Sequence, residues 1–528
     1  SKYYQLLTGK DAADWSLTVF DNVNLIGESY KNFYKTDYIA DENGWKHNLQ
    51  LPASWQYYGF DHSNYTNWEV PWRGDLNYNR DLDTVTYNPV GLYRKKFTVS
   101  DNLKQANGRI YLNFQGVESA YYVYLNGKEV GYSADTFSPH SYDITDYLVD
   151  GENLLAVKVH KFSDGTYLER QDMIYDGGIF RDVYLYAAPA VHIEDYRVVT
   201  NLTDDFKNAV LNLDVTVRNN AETAVSGYKV KITLLDADKN VIFNDFNLSI
   251  EHIAEENKVT ENGTVHGSVA TVSGSREIKG PKLWSAEDPY LYTLVLSLYS
   301  ENNAYMGSMS QQLGFREIEY TNTQIDESGK RITEDSEYKP ITINGKPLTI
   351  KGVNRVENDP VYGKYVPDAV VEQDVKLMKQ NNINTIRTSH QSNCDYLYYL
   401  CDKYGLYMIA ETNLETTNSW SWTTNIWHSF KGAAMDRTVS AFKRLKNVSS
   451  VIIWSIGNEC LNNSDDEQTD PAFGDYFLSD LARYFKENDK TRPLHFESFG
   501  DKNGVDMDSS MYPGLWRMDQ ALQKNMPY

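Results

Sequence analysis

The chain is poor in cysteine, in basic residues and in long apolar runs. Its 528 residues include three cysteines, Cys394, Cys401 and Cys460, which cannot form a disulfide framework and have no His at metal-ligand spacing, so they are predicted to be small core residues. The net charge of −22 argues against nucleic acid and anionic membranes as partners. No signal peptide, lipidation motif or apolar segment of membrane length is present, which indicates a soluble protein or a mature form already trimmed.

Aromatic residues are abundant, with 41 Tyr and 11 Trp. An acidic protein rich in aromatic rings suits a neutral ligand, and sugars are neutral molecules that stack on aromatic faces. Tyrosine-rich β-sheets produce the same count without any ligand. Composition therefore leaves both interpretations open.

The length of the chain and the change in its secondary-structure pattern along the sequence predict several domains. Residues 1–190 contain short strands joined by tight turns such as Asn126-Gly127, which predicts a β-sandwich. Residues 191–317 repeat this pattern and suit an immunoglobulin-like sandwich, expected to space and brace its neighbours. In residues 318–528 strands and helices alternate, which predicts parallel βαβ units of either a doubly wound sheet or a (β/α)₈ barrel. No Gly-rich phosphate turn follows the first strand, which favours the barrel.

Six barrel strands are predicted, and a closed barrel needs eight, so the barrel is expected to be incomplete. The predicted strands begin near residues 348, 384, 407, 450, 494 and 506. Predicted helices cover 368–382, 395–404, 430–446 and 471–488.

The stretch V-I-I-W-S-I-G-N-E-C, residues 451–460, is a β-branched apolar run that stops at Asn458-Glu459. It predicts a buried strand whose C-terminal end opens on the mouth where a barrel keeps its chemistry, so Glu459 is a candidate catalytic carboxylate. A carboxylate at a strand end can instead cap the next helix or pair with an Arg. Glu411, Glu415 and Glu497, also near predicted strand ends, are the other candidate carboxylates.

Several motifs resemble glycoside hydrolase family 2, and in particular its β-galactosidase branch. The segment W-S-I-G-N-E is similar to the strand that carries the proton donor of that family. The resemblance covers most of the chain, through Asn67 in Y-T-N, N-P-V-G-L-Y-R (88–94), S-D-G-T-Y-L-E (163–169), G-I-F-R-D (178–182), G-V-N-R (352–355), R-T-S-H (387–390), L-C-D-K-Y-G-L-Y (400–407) and S-M-Y (510–512).

The resemblance implies a jelly-roll sugar-binding-like domain, an immunoglobulin-like sandwich and the N-terminal part of a (β/α)₈ TIM barrel. It also implies a retaining exo-β-glycosidase that hydrolyses terminal β-D-galactosides with Glu459 as general acid/base. The family pattern places the nucleophilic Glu just beyond Tyr528, so the chain alone is expected not to catalyse turnover. Its expected partners are a β-galactoside and either the C-terminal remainder of the barrel or further copies of itself.

The residues that the resemblance implies for substrate binding are Asn67, Asp164, His390, Asn458 and Tyr512. It implies no organic cofactor, but it implies a possible Mg²⁺ at Glu415 and Glu459 and a possible Na⁺ at Asp164.

Some positions depart from the family pattern. Thr417 stands where the family has a His ligand for Mg²⁺, which leaves two carboxylates that can hold the ion through water. Val356 also replaces a His, and loss of that donor can shift substrate preference. Trp420 and Trp422 are either a replacement stacking platform or packing anchors.

Two rival hypotheses remain at this point. One is a non-hydrolytic sugar-binding or assembly module, which the residues at 356 and 417 favour and the intact acid/base strand opposes. The other is a β-glucuronidase-like specificity, which needs cationic residues for the substrate carboxylate. The sequence leaves the compartment open, with an extracellular or cell-surface bacterial location ahead of the cytoplasm.

Overall fold

The computed structural model describes residues 3–42, 44–66, 87–255, 268–320, 323–325, 331–333, 340–416, 424–460, 471–497 and 504–522. Within these ranges the chain forms three consecutive units, two of antiparallel strands and one that contains a parallel sheet flanked by helices. In the described residues no helix is both long enough and apolar enough to cross a bilayer.

The first unit is a β-sandwich whose main sheets have the strand orders β1-β14-β6-β10 and β3-β2-β5-β11-β8-β9, with two further pairs, β12-β4 and β13-β7. Side chains from both main sheets, including Leu112, Val157 and Leu185, share one buried core. Asn126 and Gly127 turn β8 into β9 with φ angles of 51° and 83°, as a two-residue hairpin turn requires. Its elements are β1 (Tyr4–Leu6), β2 (Trp15–Phe20), β3 (Lys46–Leu49), β4 (Asn64–Thr66), β5 (Val90–Thr98), α1 (Asp101–Lys104), β6 (Gly108–Phe114), β7 (Val117–Glu118), β8 (Ala120–Leu125), β9 (Lys128–Ser133), β10 (His140–Asp143), β11 (Glu152–His160), β12 (Met173–Tyr175), β13 (Gly178–Ile179) and β14 (Val183–Pro189).

The second unit is a smaller sandwich of a three-stranded sheet, β15-β16-β19, and a four-stranded sheet, β18-β17-β20-β21. Apolar and polar residues alternate along these strands, and in β20 every second side chain is buried. Its strands are β15 (Val191–Thr203), β16 (Asn208–Asn219), β17 (Val225–Leu235), β18 (Val241–Ile253), β19 (Ser268–Lys279), β20 (Tyr292–Tyr299) and β21 (Tyr305–Leu313).

The third unit contains a five-stranded parallel sheet, β27-β28-β29-β30-β31, in the order of the sequence. A doubly wound sheet reverses its order at a switch point, whereas the wall of a barrel adds each strand beside the last. The observed order is that of a barrel wall. The elements are β22 (Ile318–Glu319), β23 (Thr323–Ile325), β24 (Arg331–Thr333), β25 (Thr342–Ile343), β26 (Lys346–Pro347), β27 (Gly352–Arg355), α2 (Asp368–Gln380), β28 (Thr385–Thr388), α3 (Asp395–Tyr404), β29 (Tyr407–Glu411), α4 (Thr424–Leu445), β30 (Val451–Asn458), α5 (Pro471–Asn488), β31 (Leu494–Glu497) and α6 (Leu515–Leu522).

Two strand predictions are corrected. The first barrel strand begins at Gly352 rather than 348, because the amide of Leu348 donates to Ile341 O and continues the preceding hairpin. The predicted strand at 506–512 is not a strand in the described residues. There the amide of Asp506 donates to Leu494 O at 2.8 Å, and the Asp506 carboxylate accepts the amide of Leu494 and the ammonium of Lys486, so a contact at one residue stands where the strand was predicted.

The second unit braces the end of the parallel sheet opposite Glu459. Trp284 Nε1 donates to Asp402 O at 2.9 Å, and Arg316 donates to the carbonyls of Ser449 and Val451 at 2.7 and 2.9 Å. Val451 is the first residue of β30 and Ser449 precedes it by two residues, so these contacts fix the N-terminal end of the strand.

Candidate active site

The strand β30 carries Glu459 to the C-terminal edge of the parallel sheet. Every residue of β30 is buried, and the half-buried Glu459 directly follows the strand. Its φ of 46° is left-handed, a conformation that costs a non-glycine residue about 1–2 kcal/mol. The amide of Glu459 donates to Glu497 O at 2.9 Å, which ties this turn to the end of the neighbouring strand β31.

Asn458 is held at both ends of its amide. Its Oδ1 accepts from Arg387 Nη2 at 2.9 Å, and its Nδ2 donates to Glu415 Oε1 at 3.0 Å. Asn458 is 1% exposed, so these bonds lie out of water. The predicted residues Asn458 and Glu415 are therefore in direct contact, beside the turn that carries Glu459.

Glu411 is the centre of a second set of contacts at the same edge. Its carboxylate accepts from Arg387 Nε at 2.8 Å and from Ser455 Oγ at 2.7 Å, and it pairs with His390 Nδ1 at 2.6 Å. Burial raises the pKa of Glu411, but the Arg387 and His390 charges outweigh this and lower the pKa to about 2. Glu411 is thus an engaged anion that fixes His390, rather than a free nucleophile.

His495, in the strand β31, lies between two serine hydroxyls that each bind a carboxylate. Its Nδ1 lies 3.0 Å from Ser455 Oγ and its Nε2 lies 3.0 Å from Ser509 Oγ. Each hydroxyl has one proton, and both donate it to a carboxylate, Ser455 to Glu411 and Ser509 to Glu497. The two serine hydroxyls thus connect the His495 ring to Glu411 on one side and to Glu497 on the other. Burial raises the pKa of Glu497, but His495 and Ser509 lower it below its usual value.

Residues of the first unit contact the C-terminal edge of the parallel sheet, where Glu459 lies. The amide of Glu415 donates to Leu168 O at 2.8 Å, and the amide of Arg170 donates to Glu415 O at 3.0 Å. Gln171 Nε2 donates to His390 O at 3.0 Å. The exposed Asp164 begins the 3₁₀ turn Asp164–Tyr167 that leads into this segment. The structure therefore joins the Asp164 segment to the barrel at the same end as Glu459.

A buried cluster of charged and polar side chains joins the first unit to the third. The sequence analysis did not predict this contact between the units. Arg437 Nη2 donates to Glu169 Oε1 at 2.8 Å, and Asn413 Nδ2 donates to both Glu169 at 2.6 Å and Asp135 at 2.8 Å. Burial raises the pKa of both acids, but Arg437 opposes it, so the pKa of Glu169 stays raised while that of Asp135 ends lowered. Polar residues such as Asn413 and Ser455 lie in or beside strands that are otherwise apolar. This pattern could have indicated buried polar contacts at these positions.

The remaining predicted site residues have different positions. Tyr512, which the resemblance implies for substrate binding, is 93% exposed, and no hydrogen bond of its hydroxyl is seen within the described residues. Val356 is 42% exposed at the end of β27. The predictions for Asn67, Thr417, Trp420 and Trp422 lie outside the described residues.

Oxygen ligands for a cation are present at the mouth, since Glu415 and the Glu459 turn both flank Asn458. Across the residues with described side chains, however, no three or more His, Cys, Asp or Glu side chains are arranged as a metal site. Two carboxylates, Glu415 and Glu459, are of the ligand type that Mg²⁺ takes, and the Mg²⁺ at these residues and the Na⁺ at Asp164 stay predictions.

Comparison with known proteins agrees with this architecture. Family models match three successive segments: the glycosyl hydrolases family 2 sugar binding domain at residues 12–189, the glycosyl hydrolases family 2 model at 191–316 and the family 2 TIM barrel domain at 335–526. The β-galactosidase of Priestia megaterium is 36% identical over 527 residues, 97% of this chain and 46% of the relative. That of Clostridium acetobutylicum is 36% identical over 502 residues, 93% of this chain and 49% of the relative.

Solved structures share the fold. A Bacteroides uniformis β-glucuronidase aligns with a TM-score of 0.72 and 21% identity, over 99% of this chain and 58% of its own. A Bifidobacterium dentium β-glucuronidase aligns with a TM-score of 0.70 and 21% identity, over 96% of this chain and 76% of its own. The chain spans about half the length of the curated relatives it matches. Architecture, motifs and relatives agree that the chain belongs to glycoside hydrolase family 2, on its β-galactosidase branch.

Proposed function

We propose that this chain carries the acid/base half of a retaining exo-β-glycosidase that hydrolyses terminal β-D-galactosides, with Glu459 as the general acid/base. The observation that carries the proposal is the position of Glu459, at the C-terminal end of β30 and beside the segment of the first unit that docks on Glu415. Catalytic residues of barrels lie at this end of the strands. The choice of galactosides is supported by the names of the curated relatives.

In this mechanism Glu459 first protonates the departing glycosidic oxygen and then, as a carboxylate, takes a proton from the attacking water. Asn458 binds the sugar beside it. One lone pair of its Oδ1 is used by Arg387, and the second can accept from a sugar hydroxyl, which the resemblance identifies as the 2-hydroxyl. Arg387 holds this amide in place and is held in turn by Glu411.

Retention also needs an attacking carboxylate about 5–5.5 Å from the acid. Glu411 is engaged by Arg387, His390 and Ser455, which argues against it, and the family pattern does not place the nucleophile at Glu497. The nucleophile is proposed to lie just after Tyr528, as the family pattern implies. Residues 1–528 alone would then bind a galactoside without hydrolysing it.

This proposal is tested with residues 1–528, their length verified by intact mass, in a chromogenic galactoside assay beside calorimetry with galactose. Galactose binding without hydrolysis is expected, and full hydrolysis by this polypeptide would refute the position given to the nucleophile. With the parent gene's sequence after Tyr528 restored, Glu459→Gln should lower kcat by several orders of magnitude, and azide should change the product mixture. Ordinary activity in that variant would end the assignment of Glu459. Glu152→Gln, in an exposed ion pair with Lys96, is the matched control.

A non-hydrolytic sugar-binding or assembly role is the second candidate. It is favoured by the exposed hydroxyl of Tyr512, which contacts no carboxylate in the described residues. It predicts galactose binding but no hydrolysis even when the sequence after Tyr528 is restored. The two proposals are therefore separated by one measurement, the hydrolysis of a galactoside after the sequence following Tyr528 has been restored.

A further inference from the structure

The outer face of the sheet β1-β14-β6-β10 carries tyrosines that the hydrolytic site does not use. Alternation along β6 and β14 sends Leu112 and Leu185 into the core and turns their neighbours outward. We name the outward set the tyrosine face: Tyr4, Tyr111, Asn113, Ser141, Tyr184 and Tyr186. The strand register places these residues side by side across four strands, with Tyr4 opposite Tyr186, Tyr186 opposite Tyr111, Tyr184 opposite Asn113, and Asn113 opposite Ser141.

The rings of the tyrosine face form a continuous aromatic surface. Tyr111 and Tyr186 stack with centroids 5.0 Å apart and planes 15° apart, and Tyr4 lies 4.8 Å from Tyr184. Tyr184 and Tyr186 are 6.2 Å apart and join the two pairs. Tyr4 is 39% exposed, so part of this surface meets solvent.

A shallow cavity of about 330 Å³ lies on this surface, within the range of small-ligand sites. None of its lining residues is charged. They are Tyr3, Tyr4, Asn113, Ser141, Tyr184 and Tyr186. An uncharged aromatic lining favours a neutral ligand, because an ionic ligand would lose hydration without gaining a counter-charge.

Hydrogen-bonding groups lie in fixed positions beside the rings. Asn113 is 5% exposed, and its Nδ2 donates to Ser141 Oγ at 2.8 Å. Gln115 Nε2 donates to Asn113 Oδ1 at 2.7 Å and to the Tyr184 hydroxyl at 2.9 Å. The Tyr184 hydroxyl thus accepts one bond and retains its own proton for a ligand.

Charged groups around the tyrosine face are largely paired, Arg109 with Asp143 and Arg218 with Glu194, and Asp182 and Asp395 lie near Tyr4 and Tyr184. Burial and the nearby Asp182 raise the pKa of Tyr4 to about 12, and burial and Asp395 raise the pKa of Tyr184. The hydroxyls are therefore neutral donors at physiological pH, and because both arginines are already paired with carboxylates, the surroundings offer an anionic ligand no unpaired counter-charge among these groups.

We propose that the tyrosine face binds a neutral saccharide, apart from the site at Glu459. The apolar C–H face of a pyranose stacks on the rings of Tyr4 and Tyr186, and its hydroxyls bond to Asn113 and Tyr184. A saccharide is the ligand class that combines neutrality, an apolar face and many hydroxyls.

The test uses residues 1–528 with Glu459→Gln, so that no turnover disturbs the measurement, in affinity electrophoresis and calorimetry with a soluble neutral galactan. Tyr4→Ala and Tyr186→Ala should each weaken galactan binding about tenfold, which corresponds to about 1.4 kcal/mol. Tyr305→Ala, on a tyrosine that is 62% exposed in the second unit, is the matched control and should bind as the parent does. Polygalacturonate, the acidic counterpart, should not bind.

Tyr186→Phe separates stacking from folding, because it keeps the ring and should keep binding. Galactan binding that survives both Ala variants but is lost in Asn458→Ala would place the glycan in the hydrolytic site and overturn the proposal. Absence of galactan binding in the parent would also overturn it. A third result would also overturn the proposal: the parent is a dimer, and Tyr4→Ala converts it to a monomer without changing galactan binding. The tyrosine face would then be a contact between copies of the chain.

Discussion

Replacing Glu411 by Gln tests the charge network beneath the candidate acid. The substitution keeps the size of the side chain but removes the anion that Arg387 and His390 contact. Glu411 is 1% exposed and Arg387 is 8% exposed, so the variant leaves a buried guanidinium without its counter-charge. Breaking such a pair costs about 3–5 kcal/mol of the free energy of unfolding at neutral pH.

The pH dependence follows from the lowered pKa of Glu411. Its value in the folded chain is about 2, whereas an unfolded Glu titrates near 4.3, so ionised Glu411 contributes about 3 kcal/mol of stability above pH 4.3. This contribution is lost as the pH falls from about 4.3 through 2, because the unfolded chain takes up the proton first. The difference in stability between parent and Glu411→Gln should therefore shrink by about 2 kcal/mol between pH 6 and pH 3.

Hydrogen–deuterium exchange of peptides from β29 and β30, followed across denaturant at each pH, reports the stability of this sheet separately from the other units. Glu152→Gln removes a carboxylate from an exposed pair and should change stability by less than about 1 kcal/mol at any pH. A difference between parent and Glu411→Gln that stays constant from pH 6 to pH 3 would refute the assignment of Glu411 as a buried anion.

Three further predictions concern contacts between units and the cation. Arg437→Met should weaken the docking of the first unit by about 3–5 kcal/mol, seen as faster exchange over residues 163–171, whereas Arg483→Met, in an exposed pair, should not. Trp284→Phe should lower the free energy of unfolding by about 1–3 kcal/mol in denaturant titration, because the fully buried indole loses its bond to a backbone carbonyl. If Glu415 and Glu459 hold Mg²⁺, calorimetric binding of Mg²⁺ should disappear in Glu415→Gln, and unchanged binding would exclude that site.

Local patterns in the sequence were enough for most of the elements. The alternation along β20 and the continuous apolar run of β30 both appear directly in the order of residues, because side-chain periodicity is a local property of a strand. The helix predicted at 395–404 is confirmed with the same bounds. The prediction at 506–512 fails because Asp506 meets Leu494 through one backbone bond and its own carboxylate, and side-chain hydrogen bonds have no periodicity.

The position of Glu459 was also readable, since a carboxylate after a buried parallel strand must emerge at the sheet's C-terminal edge. What only the tertiary structure decided is which groups surround it. Arg437 meets Glu169 across 268 residues, and Gln171 meets His390 across 219. Sequence spacing carries no information on such pairs, because they form only when separate units dock and a buried charge must find a partner outside its own segment.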